Sequence, residues 1–260
     1  MNSGNIRLSE KEIIKILFNF IKDNFNNFGH RKKKGERKWW HNHNYGIKMG
    51  KRGDSWAPFV EACFIMEGER CGFGKGKDKI GHSYTHPNIT NFLKIFNITY
   101  DNSNKYDNYL DIDLSWRTKD KLILALEHSE DPDRYSKKIT TADKQLDAIF
   151  QELDKLKNVC SLFKIIVSRP HIRDQDNGDY DSVIKFFKKE IEFYLTQTVP
   201  PSDENWIIIL IAPGTDMKKA DARTEIKFHS YKWKIDKLIE VEGIYSFEVK
   251  MDNGENVIIV

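Results

Sequence analysis

The sequence predicts an α/β protein, a mixed central β-sheet flanked by helices. Residues 122–126 (Leu-Ile-Leu-Ala-Leu) are an unbroken apolar run of buried-strand length. A helical pattern over 141–158, with Leu146, Ile149, Phe150, Leu153 and Leu156 on one face, separates it from a second such run at 162–167. Strand–helix–strand order implies parallel pairing through a right-handed crossover. Residues 206–212 form the most apolar run in the chain, a further buried strand.

The remaining elements follow in order. Ser9 and Glu12 have capping-box spacing, and Ile13, Ile14, Ile16, Leu17, Phe20, Ile21 and Phe25 recur helically, so a helix runs to about Asn24. A second helix starts near Asp54, with Pro58 in its first turn and Phe59, Cys63 and Met66 as its apolar stripe. Residues 68–87 read as a loop, 88–95 as a short helix, and 100–105 as a turn-rich approach to a hairpin. That hairpin joins the runs at 109–116 and 122–126 across the polar Arg-Thr-Lys-Asp-Lys. Asp131-Pro-Asp133 ends its second strand. Residues 182–196 form another amphipathic helix, and strands resume from Glu225, with Asp252-Asn-Gly254 turning the last hairpin into 257–260.

Apolar residues make up 39% of the 260, enough for a substantial core. No apolar run approaches the roughly 20 residues of a membrane span, and the first ten residues lack a signal-peptide core. Cys63, Cys71 and Cys160 form no CxxC pair, so a reducing cytoplasm is the expected location and no membrane the expected partner. The histidines at 30, 41, 43, 82 and 86 have no Cys or Glu at zinc-site spacing. No Gly-x-Ser-x-Gly elbow and no dinucleotide-binding glycine motif is present.

Net charge is only +3, yet its distribution is uneven. Arg31, Lys32, Lys33, Lys34, Arg37 and Lys38 run into Trp39 and Trp40, with Lys48, Lys51 and Arg52 following. Basic residues interleaved with aromatics suit phosphate contact and base stacking. The alternative is a solvated basic loop, against which the two tryptophans count. Gly72-Phe-Gly-Lys-Gly-Lys77 lacks a nucleotide-loop ending, so Lys75 and Lys77 fit a basic DNA-contacting loop better.

Acids cluster in the central hairpin. Residues two apart on a strand share a face, so Asp111 and Asp113 point together, as do Glu127 and Ser129. Carboxylates from neighbouring strands create a pocket of hard oxygen ligands of the kind Mg²⁺ prefers. They could equally be the polar face of a half-solvated hairpin. The second strand is too apolar for that, and an ionised Glu127 at its end requires a partner.

Asp113-Leu-Ser-Trp116, a turn, then Leu124-Ala-Leu-Glu-His-Ser-Glu130 resembles the core of the PD-(D/E)xK phosphodiesterase superfamily, which includes restriction endonucleases and Holliday-junction resolvases. The likeness covers about residues 55–170. It implies a restriction-endonuclease-like core over 55–212, preceded by an N-terminal helix and basic loop (1–54) and followed by a C-terminal β extension (213–260). Through it Asp113, three residues before Trp116, becomes the main metal ligand, with Asp111 auxiliary and Glu127 the second ligand. It also makes Glu61, in the preceding helix, a candidate metal-directed acid; an exposed helical glutamate is the other reading. The chain departs from the superfamily at Ser129, where Lys, Glu or Gln is usual. Glu130, Lys144 or Gln145 are the candidates to substitute for it.

The resulting expectation is a Mg²⁺-dependent nuclease, with Mn²⁺ an acceptable ion, hydrolysing phosphodiester bonds of DNA and pairing as a homodimer where both strands are cut. Catalysis would rest on Asp113, Glu127, Ser129 and Glu61. Ser129 keeps a second expectation open: a module that retained the fold, lost the chemistry and binds nucleic acid or a protein.

Overall fold

A computed structural model describes residues 8–25, 30–31, 56–74, 79–82, 112–129, 142–170, 180–198, 205–213, 223–243, 245–252 and 256–259; for 30–31, 56–59, 82, 251–252 and 256–258 it describes the backbone only. Four helices occur among these residues: α1 (Glu10–Asn24), α2 (Trp56–Arg70), α3 (Ala142–Lys157) and α4 (Tyr180–Thr198). The strands are β1 (His30–Arg31), β2 (Lys79–His82), β3 (Leu114–Arg117), β4 (Leu122–Ser129), β5 (Ser161–Ser168), β6 (Asn205–Pro213), β7 (Arg223–Trp233), β8 (Leu238–Glu240), β9 (Tyr245–Asp252) and β10 (Asn256–Ile259). They form one mixed sheet in the order β1-β10-β9-β7-β6-β5-β4-β3-β2, with β8 paired to β7. The chain is α/β, as expected, and no helix among the described residues is long and apolar enough to cross a membrane.

At the centre β4, β5 and β6 run parallel, each joined to the next through a helix. These are the three runs whose apolar continuity marks them in the sequence, because strands covered by helices on both faces have no water-facing side. β3 and β7 add antiparallel on either flank. Since β7 pairs with β6 and β1 with β10, the first and last segments of the sequence division join the same sheet as residues 55–212.

Helix α1 begins with the expected capping box: the Glu12 N–H donates to Ser9 Oγ at 3.3 Å, and Ser9 N–H donates to Glu12 Oε2 at 2.7 Å. Helix α2 departs from its expected single stripe. Val60, Ala62, Cys63, Phe64 and Ile65 are all buried, because α1 packs on one side of it and Trp116 on another. The Trp116 indole donates to the Phe64 carbonyl at 3.0 Å and stacks on Phe73, with centroids 5.4 Å apart. Gly68 lies directly over that indole; a Cβ there would stand 2.7 Å from Nε1.

Two expectations change. Residues 68–87 are not all loop: α2 continues to Arg70, and after a turn with Gly72 and Gly74 at positive φ, β2 pairs antiparallel with β3. Lys-Ile-Gly-His offers a single large apolar residue, so alternation has nothing to register; pairing with β3 makes it a strand. Within the run at 109–116, residues 109–111 lie outside the described residues, and β3 begins at Leu114 with Ile112 and Asp113 preceding it as non-strand backbone. The helix expected at 88–95 and the approach at 100–105 lie outside the described residues.

Truncating Trp116 to Ala should cost about 3–5 kcal/mol of stability in urea unfolding. Gly68→Ala should cost about 1–3 kcal/mol, because the indole beneath it is fully buried and bonded to the Phe64 carbonyl.

A candidate metal centre at the rim of the sheet

The site forms where β3 and β4 meet. Leu114 pairs with Leu126, so Asp113, one residue earlier, stands across from Glu127. Hairpin register alone brings these two carboxyls together. Along β4, Glu127 and His128 point to opposite faces. Glu127 meets α3, where Lys155 Nζ lies 3.6 Å from Oε2. His128 meets α2, where its Nε2 lies 3.2 Å from Glu61 Oε1. Asp113, at the end of β3, reaches around the rim: Oδ2 accepts the His128 backbone N–H at 3.0 Å and lies 3.3 Å from His128 Nε2.

One ligand atom each from Glu61, Asp113 and His128 falls within a 4.8 Å set, the arrangement a metal ion needs. Glu61 and Glu127 are fully buried, whereas the Asp113 side chain keeps 16% exposure, so the centre opens to solvent past Asp113. Glu61 Oε2 and His128 Nδ1 have no hydrogen-bond partner, and neither Glu127 oxygen meets a donor while it and Asp113 are both ionised. Asp113 and Glu127 are close enough to share a proton, but as two carboxylates neither can donate to the other. Buried oxygens without donors, joined to an imidazole, fit a divalent cation.

Electrostatics without a metal follow from burial and mutual charge. Burial drives the Glu61 pKa up, the His128 hydrogen bond and charge only partly offset it, and it stands at about 7. Burial would lower His128, but the Asp113 charge and the Glu61 hydrogen bond outweigh it and raise the imidazole to about 9. Glu127 is pushed well above the usual carboxylate range, by burial first and by the neighbouring Asp113 second. Asp113 goes the other way: burial would raise it, but the His128 charge and its bonds to Glu127 and His128 hold it low. The shared proton therefore resides on Glu127. On α3, Glu152 ion-pairs with Lys155 at 2.5 Å; burial would lower the ammonium, and Glu152 and Glu127 raise it instead.

Of the residues singled out in the sequence, the structure unites Asp113 and Glu61 in the three-ligand set and sets Glu127 beside it. The buried Glu61 excludes its reading as an exposed helical glutamate. Ser129 is buried on the Glu127 face of β4, opposite Ser168. Lys144, exposed, and Gln145, buried, lie on the first turn of α3, roughly 16 Å of helix rise from Lys155. Asp111, Glu130, Lys32, Lys33, Lys34, Arg37, Lys38, Trp39, Trp40, Lys75 and Lys77 lie outside the described residues. Arg31 is in β1, paired with Asn256, and its side chain is likewise outside them.

Sequence reasoning missed His128, Glu152 and Lys155. His128 sits inside the motif between Glu127 and Ser129, but strand alternation turns it away from their face, so same-face logic passes over it. Its signal is a polar residue on a strand too apolar to leave one unpartnered. Compared with models of protein families, with curated proteins and with solved structures, the chain finds no match.

The pKa shifts fix a pH dependence for the metal-free protein. His128 and Glu61 both stand above their ordinary values of 6.5 and 4.5 when folded, so both favour the folded state at low pH. The His128 contribution is complete below about pH 6.5 and gone above about pH 9; that of Glu61 is lost between about pH 4.5 and 7. Urea midpoints in excess chelator should fall from pH 6 to pH 9, and His128→Gln should flatten the fall above pH 7.

Proposed function

We propose that this chain is a divalent-metal-dependent nuclease of the PD-(D/E)xK type that hydrolyses phosphodiester bonds of DNA. The observation that carries the reading is the meeting of Asp113 and Glu127 across the β3–β4 register, with Glu61 and His128 completing a buried, donor-poor set of ligands. Glu61, Asp113 and His128 would hold the ion, Mg²⁺ or Mn²⁺, with Glu127 adjacent. Such an ion polarises the phosphoryl oxygen and lowers the pKa of bound water.

The chain's own groups do the rest. Asp113, the most exposed of the set, faces the incoming phosphodiester. The His128 ring, itself bonded to Glu61, lies against its Oδ2, and the His128 backbone N–H donates to the same oxygen and orients the carboxylate. Glu127, fully buried across the hairpin from Asp113, adds a second carboxyl beside it. In the hydrolysis, water oxygen adds to phosphorus, the bond to one deoxyribose oxygen breaks, that oxygen takes up a proton, and the water's proton passes to solvent.

Chain order supports a nucleic-acid substrate. The basic, tryptophan-bearing segment that includes Lys32, Lys33, Lys34, Arg37, Lys38, Trp39 and Trp40 runs directly into α2, whose second turn carries Glu61. Lys75 and Lys77 lead into β2, the neighbour of β3. Both basic stretches precede, in sequence, elements that carry or adjoin the acids, and basic side chains offset the repulsion between DNA phosphates and carboxylates. A second reading, a nuclease-fold module that binds nucleic acid or a protein without cutting, is favoured by Ser129, an uncharged residue where this type carries Lys.

With Mg²⁺ or Mn²⁺ the purified chain should nick or degrade DNA, and Asp113→Asn should slow it at least about 10²-fold. Saturating Mn²⁺ at about 100 times its Kd should stabilise the wild type by about 2.7 kcal/mol in thermal melts, a gain that Asp113→Asn or Glu61→Gln abolishes. DNA retained at low salt and left uncut would favour the non-catalytic module; no cutting and no Mn²⁺-dependent stabilisation would overturn the metal centre.

A further inference from the structure

We propose that this chain pairs with a second copy of itself through the outer face of α4, a surface that shares no residue with the metal centre. Buried Tyr180, Ile184, Phe187, Ile191 and Leu195 fix which side of α4 faces the core. Phe186 and Phe193 stand on the opposite side, about two turns apart, and are 39% and 65% exposed. Phe187 meets the Phe186 ring edge-to-face, with centroids 6.2 Å apart, which steadies it. A third exposed apolar residue adjoins them. Ile235, 80% exposed, begins the two-residue turn between β7 and β8, closed by the Lys234 N–H donating to the Lys237 carbonyl. Thr196 Oγ1 donates to the Asp236 carbonyl at 3.5 Å and the Leu238 N–H to Glu192 Oε2 at 2.7 Å, so this turn is tied to the end of α4. Ile235 and Asp236 both have left-handed backbone, with φ of 48° and 62°. Asn and Gly suit such a turn, whereas a β-branched residue is strained there. So exposed, Ile235 gains little packing from its own chain, and strain kept at an unpacked position points to a contact outside it. Three of the four exposed large apolar side chains among the described residues thus gather on one side of the molecule; scattered singly they would need no explanation.

The order of residues on α4 names the occupant. Lys189 and Glu190 lie midway between the two phenylalanines. With a second α4 laid antiparallel across the first and a twofold axis between positions 189 and 190, Phe186 comes level with the partner's Phe193. Lys189 comes level with the partner's Glu190 in the same arrangement, because the members of each pair are equally distant from the axis. Symmetry makes each contact twice. The two aromatic layers leave a gap of about 10 Å of helix rise between them, and the lysine and glutamate side chains reach across it to pair. One basic and one acidic residue between the aromatics make the face complementary to its own copy, not to a surface of one charge. The Ile235 turn, bonded to Thr196, comes level with the first turn of the partner helix, so it too gains a neighbour.

The test uses the full chain in chelator and without DNA, so its outcome does not depend on whether the chain is a nuclease. In sedimentation equilibrium the mass should rise with concentration toward twice the 30.6 kDa of one chain, with a micromolar Kd. Phe193→Ser, at an exposed position that the fold does not need, should weaken association at least about 30-fold, since one substitution removes two aromatic contacts. Lys189→Glu should weaken it at least about tenfold by setting like charges level across the seam. Adding Glu190→Lys to that variant should bring association back to within about threefold of wild type, a rescue that only a face meeting its own copy in this register can give. Ile235→Asn should weaken pairing at least about threefold and raise the urea midpoint of the monomer, because the strain is relieved. A wild type still monomeric at about 100 µM, a Phe193→Ser chain that pairs like wild type, or a double charge variant no better than Lys189→Glu overturns the proposal. A monomer that instead pellets with phosphatidylcholine vesicles through Phe193 also overturns it, and assigns the face to a lipid surface.

Discussion

Everything at the rim of this sheet follows from the burial of carboxyl groups with too few donors. Glu61 and Glu127 have no exposure, and three of their four oxygens meet no donor while the groups are ionised. An ionised carboxylate in such surroundings is costly unless a cation stands against it. Without a metal the molecule answers in two ways. A proton resides on Glu127, and His128, held cationic by Asp113 and Glu61, sits between their oxygens. Both answers use protons where a divalent ion would serve better, and this is the physical basis for reading the cluster as a metal centre.

Geometry at the sheet edge makes the cluster possible. Adjacent residues on a strand face opposite ways, so Glu127 and His128 address different helices, α3 and α2. A residue inside β3 would be confined to one face. Asp113 precedes the strand proper, and from that position its carboxylate contacts the His128 ring while standing across from Glu127. The site therefore straddles the sheet, with one helix delivering an acid to one face and the other a lysine to the opposite face.

Rigidity comes from what lies beneath. Trp116, two residues after Leu114, is fully buried, bonded to the α2 backbone at Phe64 and packed under Gly68. This couples β3, which carries Asp113 at its start, to α2, which carries Glu61. Parallel pairing of β4 with β5 fixes the other side of the hairpin. Three residues from distant parts of the chain are thus aligned by packing that involves none of their own polar atoms.

How much of this was legible in the chain depends on the range of the interaction. The parallel strands β4, β5 and β6, the helices between them and the capping box of α1 are written in local pattern, because apolar continuity and 3.6-residue spacing are local signals. The opposition of Asp113 and Glu127 was legible too, since a short hairpin leaves little freedom of register. β2 was not, because four residues with one large apolar side chain become a strand only through their partner. The burial of Glu61, the turning of His128 toward it and the approach of Lys155 were decided by tertiary structure alone. Each depends on a helix being laid against one face of β4 from a distant point in the sequence, and no local periodicity encodes which turn of a helix will come to rest beside a given strand residue.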